Sequence, residues 1–186
     1  MAKNLLFLLS GLILMAAGAT GSLAQESPRS DVAVYSGDLH AFQLKPPSGW
    51  VLDLENAYTN GYTAVLYPDS QIFVEASMII YIWAYPLDSL GFQEYISADS
   101  TFYLESNIGL EFISTDTVYT PQEFYWVILE AADPGAESDI ALIGYLDGET
   151  DIIIYQLDIT DRISWADAAP KFAEAMANLT VLDYSD

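Results

Sequence analysis

Ile140-Ala141-Leu142-Ile143-Gly144-Tyr145-Leu146-Asp147-Gly148-Glu149-Thr150-Asp151-Ile152-Ile153-Ile154-Tyr155-Gln156-Leu157 holds two apolar runs around Asp147-Gly148. Asp-Gly between β-rich runs is a strong hairpin signal, because a type I′ turn needs positive φ at both central residues. With those two residues as the loop, Leu146 faces Glu149, Ile143 faces Ile152 and Leu142 faces Ile153. One face then carries Ala141, Ile143, Tyr145, Ile152 and Ile154. The other carries Ile140, Leu142, Ile153 and Tyr155. Both faces are apolar, so both need a covering layer. The hairpin is expected at the centre of a sheet.

The flanking sequence supplies the layers. Phe42 and Leu44 alternate with polar residues until Pro46-Pro47 ends the strand. Residues 53–61 are polar and close on Asn60-Gly61, which predicts a loop or one short helical turn. Strands are predicted at Tyr62 to Tyr67, Glu75 to Tyr85, Leu110 to Ser114 and Glu123 to Ala131. In the second of these, Tyr81, Trp83 and Tyr85 point one way, and Ile80, Ile82 and Ala84 the other. A helix is predicted from Leu90 to about Ser106, capped by Asp88 or Ser89 and interrupted near Asp99-Ser100. Another is predicted from Trp165 to Leu179, capped by Asp167, with Pro170 in its first turn. Its apolar stripe is Phe172, Met176 and Leu179, with Leu182 beyond. The expected class is α+β: an α/β/α sandwich with a central antiparallel sheet flanked by helices.

Composition bounds the compartment. Lys3, the apolar run Leu5 to Ala17 and Ser22-Leu23-Ala24 have the layout of a secretory signal peptide over residues 1–24. Residues 25–39 read as a flexible polar leader, and 40–186 as a single domain. The apolar run is too short for a membrane span. The expected location is periplasmic or secreted, with no membrane span after signal cleavage. The chain has 5 Lys+Arg, 27 Asp+Glu, one His and no Cys, for a formal net charge of −22. That excess disfavours nucleic-acid binding, where phosphates require Lys and Arg. Without Cys there are no disulfides, so the apolar core must stabilise the fold unaided.

No catalytic signature stands out. Ser36, Asp38 and His40 contain the residue types of a hydrolase triad, but no Gly-x-Ser-x-Gly elbow accompanies them. Paired carboxylates could serve an extracellular, glycosidase-like hydrolase, which is the rival reading. With 27 acids, such pairs arise by chance. Asp147-x-Glu149-x-Asp151 imitates the start of a calcium loop, yet Ile152 stands where that loop needs Gly. One His and no Cys argue against zinc. Neither metal nor cofactor is expected. Tyr58 and Tyr62 flank Asn60-Gly61 in a polar segment and are the candidate binding residues, because exposed tyrosine suits a protein or small polar partner.

Two stretches resemble the PsbP-like family, the α/β/α sandwich of an extrinsic photosystem subunit and its bacterial relatives. The first is Phe42-x-Leu44-x-x-Pro47-x-Gly49-Trp50. The second is the closing order of strand, hairpin, strand and helix, ending Phe172-x-x-x-Met176-x-x-Leu179-x-Val181-Leu182. After the last hairpin the family's small-residue stretch is replaced by Asp158-Ile159-Thr160-Asp161. The resemblance implies a non-enzymatic binding or assembly module and supplies no catalytic residues. The expected function is therefore an exported, non-catalytic module of the cell envelope, acting on a protein or small polar ligand there.

Overall fold

The computed structural model describes residues 29–87, 91–120, 123–132, 140–159 and 165–183. Its strands are β1 (Arg29–Ser30), β2 (Ala33–Ser36), β3 (His40–Leu44), β4 (Trp50–Asp53), β5 (Ala64–Pro68), β6 (Met78–Pro86), β7 (Glu111–Tyr119), β8 (Tyr125–Ala132), β9 (Ile140–Gly148), β10 (Asp151–Ile159) and β11 (Thr180–Asp183). The helices are α1 (Leu54–Asn60), α2 (Phe92–Ser106) and α3 (Trp165–Ala177). Eight strands form one antiparallel sheet in the order β1-β4-β5-β6-β10-β9-β8-β7, and β11-β3-β2 form a second. The segment 1–24 and the residues Asp88 and Ser89 lie outside the described residues.

The β9–β10 hairpin sits near the middle of the large sheet, as its two apolar faces require. Its turn is not Asp147-Gly148. Gly148 pairs with Asp151 and Asp147 with Ile152, so Glu149-Thr150 is the loop. Glu149 takes the positive φ of 67°, and its N–H donates to Asp147 Oδ1 at 3.0 Å. Each strand end is displaced by two residues from the expected pairing. An even displacement leaves every side chain on its own face. The face assignment therefore holds although the turn moved.

Leu142, Leu146, Ile153, Tyr155 and Leu157 join Ile80, Ile82 and Leu66 in one core, together with Phe172, Met176 and Leu179 of α3 and its C-terminal end. Phe42 and Leu44 of β3 and Val181 of β11 belong to that same core. This face is thus covered by α3 and by the small sheet. On the opposite face, Ile143, Tyr145, Ile152 and Ile154 pack with Phe92 and Ile96 of α2. Further along it, Val51, Val65, Tyr67 and Ile79 pack with Ala57 of α1. The α/β/α layering is as expected: α1 and α2 lie on one side, α3 on the other. Each fully buried Leu, Ile or Phe contributes about 2 kcal/mol to this packing.

The small sheet was not foreseen. Within the segment read as a leader, Arg29–Ser30 pairs with β4 and Ala33–Ser36 with β3. Leu182, read as lying beyond the last helix stripe, pairs with Ala41, and Val181 with Phe42. Strand β3 was expected from its alternation, but β2 and β11, of four residues each, leave no clear alternation to read. Other boundaries also moved. Helix α2 is capped by Gly91 without a side-chain bond and runs unbroken through Asp99-Ser100. Helix α3 starts at Trp165, so Asp167 lies inside its first turn rather than at its cap. Residues 53–61 form a true helix, because Asp53 accepts from Asn56 N at 2.9 Å and Gly61 closes it at φ 81°.

Candidate functional site

The site is built outward from the end of α1. Asp53 is fully buried at the end of β4 and accepts from Asn56 N, from Asn56 Nδ2 at 2.7 Å and from Tyr67 Oη at 2.7 Å. Burial alone would raise this carboxyl, but the hydrogen bonds from Asn56, Tyr67 and the backbone hold it below its ordinary value. At the other end of α1, Gly61 N and Tyr62 N donate to the carbonyls of Tyr58 and Ala57 at 3.3 and 2.9 Å. The left-handed Gly61 makes that closure possible. Thr63 is then fixed to β6, its N–H donating to Ile82 O at 2.8 Å and its Oγ1 accepting from Ala84 N at 3.0 Å. Tyr62 is thereby laid on the sheet.

There it meets two other rings. The Tyr62 centroid stands 4.7 Å from Tyr81 and 5.1 Å, edge-on, from Trp83, and Tyr81 lies 6.2 Å from Trp83. All three remain partly exposed. Tyr81 belongs to the α1 half of this face and Trp83 to the α2 half, so the rings mark the seam between the two helical covers. Gln156, opposite Tyr81, and Asp158, two residues further along β10, stand on the same face. Gln156 Nε2 donates to Asp158 Oδ1 at 2.8 Å. Tyr103 of α2 stacks on Phe112 of β7 at 6.3 Å and feels the charge of Asp158.

Charge in the seam is one-sided. No Lys, Arg or His occurs between Lys45 and Arg162. Burial raises the Asp158 carboxyl, and the Gln156 bond only partly offsets it. Burial, then the charge of Asp158, pushes Tyr103 up to about 12. The same two causes raise Tyr62 and Tyr81. Asp99 of α2 is raised by burial while accepting from Tyr145 Oη at 2.9 Å. Burial raises each of these acids; neither is raised by the charge of the other. That is unlike a coupled catalytic dyad, whose members shift one another.

The two candidate tyrosines have different surroundings. Tyr62 is in the ring cluster, whereas Tyr58, on α1, is 88% exposed. The signal for Tyr62 was legible in Asn60-Gly61. Tyr81, Trp83, Gln156 and Asp158 were not legible as neighbours, because strand order brings β6 and β10 together across more than seventy residues of chain. The ring of His40 stands edge-on to Phe124 at 5.1 Å and to Phe42 at 6.3 Å. Asp147 and Asp151 diverge to opposite faces of the sheet. Asp151 is buried and accepts from Tyr35 Oη, Asp38 N and Thr150 Oγ1, each at 3.0 Å. It ties the hairpin to the small sheet. Among the described residues no group of three or more His, Cys, Asp or Glu side chains could hold a metal ion.

The architecture is similar to that of cyanobacterial PsbP (CyanoP) from Synechocystis sp. PCC 6803, determined in solution. The TM-score is 0.53, over 88% of this chain and 98% of that one, at 14% identity. The fold is PsbP-like. No family model and no curated protein matches the chain in sequence. The two stretches that carried the resemblance meet in space. The Pro46–Ser48 loop is held by α3 and the residue that follows its C-terminal end: Lys171 Nζ donates to Ser48 O at 2.8 Å, Ser48 N to Glu174 Oε1 at 2.7 Å, and Asn178 Nδ2 to Pro46 O at 3.0 Å. Gly49 then turns the chain at φ 75° and Trp50 is buried. In this PsbP-like fold, Pro-x-Gly-Trp is a joint between the two sheets and α3. It explains the fold and not the chemistry of the seam.

Proposed function

We propose that the protein is an exported, non-catalytic binding or assembly module of the cell envelope, engaging a protein or small polar ligand through the seam between α1 and α2. One observation carries the reading. Tyr62, Tyr81 and Trp83 are gathered and partly exposed beside Gln156 and Asp158. Aromatic rings with a few fixed polar groups give contact area and orientation at low entropic cost. Tyr58 stands exposed on α1 and extends the surface. The PsbP-like fold supports the assembly reading by analogy of architecture alone.

The test has two parts. Intact-mass analysis of the exported protein is expected to give a chain beginning at Gln25. A photo-activatable residue placed at Tyr58 is then expected to cross-link a partner in the native envelope, and Tyr62→Ala with Trp83→Ala to abolish it. A mass that includes residues 1–24 overturns export. Hydrolysis of a glycan panel that disappears with Asp158→Asn or Asp99→Asn overturns the non-catalytic reading.

A further inference from the structure

A second surface stands apart from the seam. Among the described residues, strand β7 is the outer edge of the large sheet and pairs with β8 alone. Every residue of it except Phe112 is exposed, including Ile113, Val118 and Tyr119, the last at 71%. Phe112 is covered by Tyr103 of α2, and from Ile113 to Tyr119 the strand overhangs the helical layers. A long open edge is a ready template for another strand, and native proteins guard such edges.

The guard is visible here. Thr117 N donates to Asp116 Oδ1 at 2.7 Å, so that N–H is turned away from β8. Thr120 N, three residues on, donates inward to Phe124 O at 2.6 Å. In an antiparallel ladder successive residues alternate sides, so Thr115, Thr117 and Tyr119 face outward. The bulge between Phe112 and Ser114 interrupts the ladder at the other end, leaving Ser114 to Tyr119 as the regular edge. Asp116 occupies the central outward donor with its own carboxylate. An incoming strand has to displace that carboxylate and leave it with a counter-charge. Glu130 of β8, paired with Ser114, accepts from Ser114 Oγ at 2.8 Å. A second copy presents the same acidic edge on a chain of formal net charge −22 and is repelled.

We infer that β7, from Ser114 to Tyr119, is a docking edge for an extended, lysine- or arginine-bearing segment of another protein. That segment adds as a further strand, its carbonyl takes the Thr117 N–H, and its cations neutralise Asp116 and Glu130. Tyr119, on the face opposite Asp116, receives its alternating apolar side chains. The site is independent of the seam and survives the failure of that reading.

The test uses the full exported chain and a nine-residue peptide alternating lysine with valine and threonine. A counterpart with glutamate for lysine is the control. The lysine peptide is expected to slow amide exchange at Thr115, Thr117 and Tyr119, and to bind more weakly as salt rises. Thr117→Pro removes the outward N–H, a change edge strands tolerate, and is expected to weaken binding about tenfold or more with an unaltered melting temperature. Should that variant fail to fold, Asp116→Lys keeps every N–H and is expected to reverse the preference between the two peptides. Equal binding of both peptides, protection located elsewhere, or self-association of the chain through β7 without peptide overturns the proposal.

Discussion

At the scale of single residues, glycine serves two different ends in this chain. Gly61 and Gly49 supply positive φ. Gly148 supplies closeness: a Cβ built there would stand 2.7 Å from Phe42 Cζ and 2.9 Å from the Asp151 carbonyl oxygen. The positive φ of the hairpin falls on Glu149 instead. Gly148→Ala is therefore expected to destabilise by about 1–3 kcal/mol through overpacking against β3. Glu149→Gly relieves a left-handed side chain at the cost of chain entropy and is expected to stay within about 1 kcal/mol of the parent. Chemical denaturation of both variants checks the pair; the opposite ranking would restore Asp147-Gly148 as the turn. Asp151 belongs to the same corner. Asp151→Ala strips the acceptor from Tyr35, Asp38 and Thr150 and is expected to cost about 2–4 kcal/mol.

At the scale of elements, α3 depends on a gap in β9. Gly144 lies under it, and a Cβ there would come within 3.2 Å of Met176 Sδ and 3.3 Å of the rings of Phe172 and Trp126. A branched side chain has nowhere to go without lifting the helix. Gly144→Val is expected to destabilise by about 2 kcal/mol or more. It should also loosen the Pro46–Ser48 loop, because Lys171, Glu174 and Asn178 move with the helix end. Hydrogen exchange at Ser48, whose amide bonds Glu174, reads that coupling; a melting temperature equal to the parent's sinks it. The stripe Phe172, Met176 and Leu179 was plain in the sequence, since helical spacing alone declares it. The glycine beneath it was not, because its role depends on which strand α3 lands on.

At the scale of the whole molecule, acid groups set the response to pH. Asp99 and Asp158 have folded-state pKa values above the ordinary 3.8, burial being the first cause. The native chain therefore binds more protons than the unfolded one between that value and the raised one. Across that window stability falls as pH rises, and the penalty persists above it. Asp53 runs the other way: its contribution is present above its unfolded value and is lost only as pH falls through its depressed one. Mutual repulsion among 27 acids also relaxes on acidification. The melting temperature is expected to rise as pH falls from neutrality toward the ordinary carboxyl value, and Asp158→Asn to flatten that rise. A parent protein that loses stability steadily over the same interval contradicts the assignment.

The sequence by itself determined the class, the central hairpin and the face on which each of its side chains lies. Those follow from periodicity, which is local and indifferent to an even displacement of the turn. It also marked Pro-x-Gly-Trp and the α3 stripe, whose joining holds the PsbP-like fold. Only the tertiary structure decided where the turn falls: Gly148 pairs with Asp151 close against Phe42, and the positive φ passes to Glu149. The strands outside the expected domain were likewise decided by pairing, as two to four residues carry no period of their own. The seam and the guarded edge of β7 are also tertiary. Tyr62, Tyr81 and Asp158 become neighbours through the order of strands, and β7 becomes an edge because no described strand lies beyond it.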